Sequence, residues 1–230
     1  MIEIFCDFDG TLTDRDTLWV LLDRFAPPEW YDIELKMLAG EMSERDGLKA
    51  ELKMINQPDE ILLSTLLKEI KPAQGIEELV ALVRQEDWKM QVLSGGLLRF
   101  AGALWRQWGY GDIPLYANDH YRNGEGGIEV IEANIPRLKE HCNHCKRWHL
   151  EEALKRGSEV IYIGDGLTDF CPAEVAHRRY AKGHLLEHLQ KKGLEAIPFD
   201  DLRVVAEDLK HLTAKGAIRR GGSQRAQRNL

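Results

Sequence analysis

Two aspartates separated by one phenylalanine, Asp7 and Asp9, follow the apolar run Ile2-Glu3-Ile4-Phe5-Cys6 and precede Gly10-Thr11-Leu12-Thr13. Strand side chains alternate, so a strand carried through this stretch places both carboxylates on one face, and Gly10 lets the backbone turn sharply beside them. That suits a cation and an anion together. Two further stretches end in the same way. Lys89-Met90-Gln91-Val92-Leu93 reads as a buried strand that delivers Ser94-Gly95-Gly96, and Ser158-Glu159-Val160-Ile161-Tyr162-Ile163, the most β-rich apolar run in the chain, delivers Gly164-Asp165-Gly166-Leu167-Thr168-Asp169. The Ser94 hydroxyl and the glycine amides form an anion cradle if a helix starts at residue 97. Asp165 and Asp169 lie one helical turn apart and can face one centre. Lys146 opens a helical pattern carried by Trp148, Leu150 and Leu154, and a lysine in a first turn opposes the helix dipole, which points to a negative partner.

Four carboxylates cannot share a small volume without a cation, and carboxylate oxygens with retained waters are what Mg²⁺ prefers. Phosphoryl transfer rests mostly on positioning and charge stabilisation, and a carboxylate can act as its nucleophile. The expected cofactor is therefore Mg²⁺, and the expected partner a small phosphorylated metabolite.

The elements that would position these groups alternate in type. The three chemistry-bearing strands are followed by helical patterns, and Arg179-Tyr180-Ala181-Lys182 and Ala196-Ile197-Pro198-Phe199 read as two further short strands separated by a helix over residues 185–192, with a closing helix over residues 202–212. This is an α/β pattern: a Rossmann-like parallel sheet with helices on both faces, whose ligands sit at the carboxyl ends of the strands. Leu18, Leu21, Leu22 and Phe25 recur at helical spacing before Pro27-Pro28, and mixed apolar and charged patterns continue to Pro72. Residues 14–74 are thus expected as a helical cap inserted after the first strand, residues 1–13 and 75–214 as the core, and residues 215–230 as a basic flexible tail. Within the cap and beside it, Arg15, Asp16, Arg45 and Arg99 are candidate substrate contacts. Residues 114–117 read as a short strand, and Asn123-Gly124-Glu125-Gly126-Gly127 as the turn of a hairpin over residues 119–132, a flap beside the site or an edge decoration.

The segment Asp7-Phe8-Asp9-Gly10-Thr11-Leu12-Thr13 resembles the first motif of the haloacid dehalogenase (HAD) superfamily of phosphohydrolases. Ser94, Lys146, and Asp165 with Asp169 resemble its remaining three motifs in order and type. The resemblance covers roughly residues 2–14 and 75–200. It implies Asp7 as nucleophile and Asp9 as the acid that protonates the leaving oxygen and then activates water. Ser94, Gly95 and Lys146 would hold the phosphate, Asp7, Asp9 and Asp165 would face the Mg²⁺, and Gly10, Thr11 and Asp169 would support them. A second carboxylate favours a phosphatase, because a leaving alkoxide needs a proton and a halide does not. The insert after the first motif is similar to the phosphoserine phosphatase-like subgroup. Phe25-Ala26-Pro27-Pro28-Glu29-Trp30 and Cys145-Lys146 resemble the methionine-salvage enolphosphate phosphatases, whereas Gly164-Asp165-Gly166 with Asp169-Phe170-Cys171-Pro172 is closer to the phosphoethanolamine/phosphocholine phosphatases.

A non-catalytic alternative is a phosphoacceptor module, or a zinc- or RNA-binding one. A receiver-type domain would not carry so large an insert. Cys142 and Cys145, with His141, His144 and His149 nearby, are ligand types that zinc accepts, but a second ligand pair is missing and a packed turn is the expectation. A net charge of −7 argues against a general nucleic-acid binder, although Lys215, Arg219, Arg220, Arg225 and Arg228 make the tail basic. Four cysteines at these spacings do not make a disulfide scaffold, and neither a signal peptide nor a membrane-length apolar run is read. The expectation is a cytoplasmic monomer or homodimer of 230 residues, with no nucleic-acid or membrane partner.

Overall fold

The computed structural model describes residues 1–138 and 142–214. The chain opens with β1 (Ile2–Asp7), whose six residues are all buried, as befits a strand covered on both faces. Four helices follow: α1 (Thr17–Phe25), α2 (Trp30–Leu38), α3 (Glu44–Leu52) and α4 (Asp59–Glu69). Their starts are written locally. The Asp16 carboxylate accepts from the Trp19 amide at 2.9 Å and the Ser43 hydroxyl from the Asp46 amide at 3.1 Å, each satisfying an orphan N–H of a first turn. Pro58 precedes α4, where a missing N–H costs nothing.

The chain then runs through α5 (Ile76–Gln85), β2 (Lys89–Leu97), α6 (Leu98–Gln107), β3 (Leu115–Arg122), β4 (Ile128–Ile131) and α7 (Lys146–Lys155). It closes with β5 (Glu159–Gly164), a 3₁₀ turn (Leu167–Asp169), α8 (Phe170–Ala173), β6 (Arg178–Ala181), α9 (Gly183–Lys191), β7 (Ile197–Pro198) and α10 (Leu202–Ala214). Seven strands form one sheet in the order β4-β3-β2-β1-β5-β6-β7, parallel except for β4. The α/β, Rossmann-like expectation is met, with β1 at the centre between β2 and β5.

Alternation along β1 assigns its faces. Ile2, Ile4 and Cys6 join the larger core with residues of α5, α6 and α10, while Phe5 joins a second core with Leu150 and Ala153 of α7 and Leu185 and Leu189 of α9. Burying each of these large apolar side chains contributes about 1.5–3 kcal/mol. Asp7 has the parity of Phe5, so it ends on the α7 side, where Lys146 begins.

Two expectations are corrected here. Ser94, Gly95 and Gly96 stay within β2, and the helix starts only at Leu98, because the register of β2 against β3 shifts between Leu93 and Leu97. The glycine amides therefore line an irregular strand end and not a helix start. The short strand at residues 114–117 and the first hairpin arm are one strand, β3, which pairs in parallel with β2 and then antiparallel with β4. The Asn123 side chain closes the turn, accepting from the amides of Glu125 and Gly127 at 3.1 and 2.8 Å.

Candidate active site

Asp7, Lys146, Asp165 and Asp169 meet at the carboxyl edge of the sheet. Lys146 is 1% exposed, and its Nζ donates to Asp7 Oδ1, to Asp169 Oδ1 at 2.7 Å and to Thr168 Oγ1 at 2.8 Å. Asp169 is fully saturated: Tyr162 Oη and Lys146 donate to Oδ1, and the amides of Asp165 and Gly166 donate to Oδ2 at 2.8 and 3.1 Å. It holds the loop and the lysine together. Glycine permits the close approaches this needs. A Cβ on Gly164 would stand 2.5 Å from Asp169 Oδ2, and one on Gly10, at φ +74°, would stand 2.5 Å from Asp165 Oδ2. Thr11 Oγ1 donates to Asp165 Oδ1, fixing the facing loop.

One ammonium stands among three carboxylates and bonds two of them, Asp7 and Asp169, and the imbalance shows in their proton affinities. Burial opposes the Lys146 charge, but Asp169 and Asp7 overcome it and hold the ammonium above the usual lysine range. Burial, and then the charge of Asp169, push Asp7 well up and Asp165 to about 6. Carboxylate oxygens of Asp7, Asp165 and Asp169 lie within 4.8 Å of one another, so the group can hold a metal ion.

Asp9 is not in that group. The strand ends at Asp7, and the amides of Thr11, Leu12 and Thr13 all turn onto the Phe8 carbonyl, which ends the alternation that would have kept the two aspartates parallel. Asp9 Oδ1 accepts from the Thr17 amide at 3.1 Å and from the Thr17 hydroxyl, and Oδ2 from Ser94 Oγ at 2.9 Å. It therefore links the start of α1 to the end of β2. Ser94 also accepts from the Gly96 amide at 2.9 Å, and the Gly95 carbonyl is held by the side-chain amides of Asn118 and Asn143.

A cavity of about 500 Å³ opens above this edge, lined by Asp7, Asp9, Gly10, Gly95, Gly96 and Asp165 below and by residues of α1, α2 and α3 above. Of the four expected insert contacts, Arg15 and Asp16 line it. Arg45 and Arg99 do not: Arg45 pairs with Glu132 and Arg99 with Asp59, because the hairpin is tied to the insert. Arg122 and His120 of β3 also reach Asp59, and Lys49 reaches Glu132 at 3.1 Å. Sequence reasoning missed Trp19, Glu34, Glu44 and Glu51 on the cavity wall. The only signal for the three glutamates was an acid on a half-apolar helix face, and Trp19 reads from its spacing as one more apolar residue of α1.

A family model described as haloacid dehalogenase-like hydrolase matches residues 4–174. The chain belongs to that family. Among curated relatives of this HAD chain is the 2-hydroxy-3-keto-5-methylthiopentenyl-1-phosphate phosphatase of Bacillus thuringiensis (strain Al Hakam), 29% identical over 221 residues, which are 92% of this chain and 97% of the relative. The same name and identity recur in Bacillus anthracis. A phospho-aspartyl intermediate analogue of phosphoserine phosphatase shares the fold, with TM-score 0.70, 24% identity, and coverage of 91% of this chain and 98% of that one. The chain is a HAD phosphatase, a phosphoric monoester hydrolase, and the non-catalytic alternative falls away.

The second candidate metal locus gains no support. Cys142 and Cys145 are buried with their thiols hydrogen-bonded, His144 stacks on His149, and His141 lies outside the described residues, as does the basic tail. Among the described residues the acidic triad is the group that fits a metal ion, and it contains no cysteine. No described helix is long and apolar enough to cross a membrane.

Proposed function

We propose that this HAD phosphatase hydrolyses 2-hydroxy-3-keto-5-methylthiopentenyl-1-phosphate by way of a phosphoaspartate on Asp7, with residues 14–74 acting as the cap that selects the substrate. The observation that supports the chemistry is the buried Asp7 at a strand end, held by Lys146 and facing Asp165 and the cavity. The relatives' names, carried over nearly their whole length, support the substrate.

An Asp7 oxygen attacks phosphorus while the Ser94 hydroxyl and the Gly95 amide bear on the phosphoryl oxygens and Lys146, its three N–H bonds already given to Asp7, Asp169 and Thr168, acts on them through its charge. The P–O bond to the carbon skeleton breaks, and Asp9 gives its proton to the leaving oxygen. Asp9 then takes a proton from the water that attacks the phosphoaspartate, releasing phosphate and restoring Asp7. Its position astride Thr17 and Ser94, outside the metal-fitting group, suits proton transfer better than metal ligation. Asp169 has no oxygen left over, so Asp7 and Asp165 are the side chains that would hold Mg²⁺. When bound there, Mg²⁺ supplies charge to balance the carboxylates and the phosphoryl oxygens. Two helix-bound walls and a partly apolar ceiling of Leu18, Val20, Met37 and Leu48 fit a metabolite.

A second reading, a phosphorylated amino alcohol such as phosphoserine, phosphoethanolamine or phosphocholine, is favoured by the acids Asp16, Asp23 and Glu34 on the cavity wall. Comparing kcat/KM for the enolphosphate with these three compounds decides between them. The enolphosphate is expected to lead; an amino-alcohol ester ahead by ~100-fold, about 2.7 kcal/mol of transition-state discrimination, overturns the methionine-salvage assignment and leaves the phosphatase standing.

A further inference from the structure

Glu34 on α2 and Glu51 on α3 reach each other across the roof of the cavity, and both line it. Two neighbouring carboxyl groups held out of water without a counter-charge cannot both ionise, so the pair holds a proton. Burial pushes both up, Glu51 to about 9, with the neighbouring Glu34 charge adding to the effect. Among the described residues, one protein donor serves the pair: Trp19 Nε1 gives its proton to Glu34 Oε1 at 2.7 Å. Glu51 is only 1% exposed, and its Oε1 receives nothing. A buried acceptor without a donor is costly, and Glu51 stands on the wall of the cavity in which substrate must sit.

We propose that Glu34 and Glu51, held under Trp19, form a specificity subsite in which Glu51 accepts a hydrogen bond from a neutral hydroxyl on the carbon skeleton of the substrate. This rests on the reading of the cavity as the phosphomonoester pocket, and it names what the distal end of that pocket asks of the leaving group. A pair that already holds a proton presents one carbonyl-like acceptor, which a hydroxyl satisfies without a counter-charge. A site that is built to hydrogen-bond a substrate hydroxyl rejects the analogue lacking it, because the buried acceptor is then left unpaired.

The test uses the full chain in Mg²⁺ and calorimetric binding of ω-hydroxyalkylphosphonates of graded chain length, each beside its alkyl and ω-aminoalkyl counterparts. At the best length the hydroxyl compound should bind roughly tenfold tighter than the alkyl compound. Glu51→Leu should bring that ratio to within about twofold, whereas Glu51→Gln, which keeps an uncharged carbonyl, should preserve it. Equal binding in the parent at every length overturns the proposal, as does a hydroxyl preference that survives in folded Glu51→Leu. An amino compound that leads in the parent and loses its lead in Glu51→Gln also overturns it, in favour of a cation site. Should Glu51→Leu not fold, the parent's Trp19 indole N–H resonance, assigned through Trp19→Phe, decides: it should move with the hydroxyl ligand alone, and equal movement with the alkyl ligand contradicts the subsite. Turnover of para-nitrophenyl phosphate reports separately on the phosphatase reading, so the two can fail independently.

Discussion

Two clusters of ionisable side chains line the cavity, one at the sheet edge and one on α2 and α3, and they are built in opposite ways. At the sheet edge, Lys146 and Asp169 are saturated by Asp7, Thr168, Tyr162 and two backbone amides, so the geometry is fixed before any ligand arrives. Under the insert, Glu34 and Glu51 are served by one indole and the proton the pair holds. A reacting group must be held in place, whereas a selecting group must keep bonding capacity in reserve. The same chain therefore satisfies one cluster internally and leaves the other for the substrate to complete.

The sharpest way to break this contrast is to disable the edge. Asp7→Asn should cut kcat by at least ~1,000-fold, about 4 kcal/mol, on any phosphomonoester, and parental turnover in Mg²⁺ would remove the nucleophile from the account. Lys146→Met leaves Asp7 and Asp169 buried without their cation, and removing one partner of a buried pair typically costs about 3–5 kcal/mol. Urea unfolding in metal-free buffer should show a loss of that order; a change under ~1 kcal/mol would mean the lysine is not structural.

Acid–base behaviour sharpens the contrast further. Glu51 has a raised folded-state pKa, about 9 against 4.5, so the folded protein binds more protons there and this contribution is lost as pH rises from about 4.5 toward 9. Next to the sheet edge, His144 and His149 are pushed down by burial to about 3 and 4, so the unfolded chain binds more protons and their contribution is lost as pH falls below about 6.5. Glu51→Gln should accordingly flatten the alkaline side of the stability profile and leave the acid side alone, measured by thermal melting across pH. A flattened acid side would reverse the assignment. The smallest effect expected is at the hairpin. Glu132 is partly exposed and pairs with Arg45 and Lys49, so Glu132→Ala should cost under about 1 kcal/mol and is checked by the same melts.

The same contrast explains what the sequence could show. Phosphoryl transfer demands fixed residue types at strand ends, so Asp7, Ser94, Asp165 and Asp169 stand out by type and by the apolar runs that precede them, and with them the parallel sheet, while Lys146 stands out as a lysine in the first turn of a helix. The direction of Asp9 was not legible, because it depends on three amides converging on one carbonyl just after the strand. Nor was the end of β2, where a register shift against a non-local partner keeps Gly95 and Gly96 extended. Glu34 and Glu51 lie on short helices with charges on several faces, and only the packing of α2 on α3 decides which acids turn inward. Arg45 and Arg99 were misplaced for the converse reason: Glu132, remote in sequence, draws Arg45 to the hairpin, and Asp59 draws Arg99 to the start of α4, both away from the cavity.

The central claim is that Asp7 carries the phosphoryl group between attack and hydrolysis. Borohydride reduces an acyl phosphate to the alcohol, so quenching turnover of the enolphosphate into borohydride and mapping peptides by mass spectrometry reads the attacking residue directly. The account predicts homoserine at position 7, dependent on substrate and Mg²⁺ and absent from Asp7→Asn. Homoserine at position 9 or 165 would contradict it.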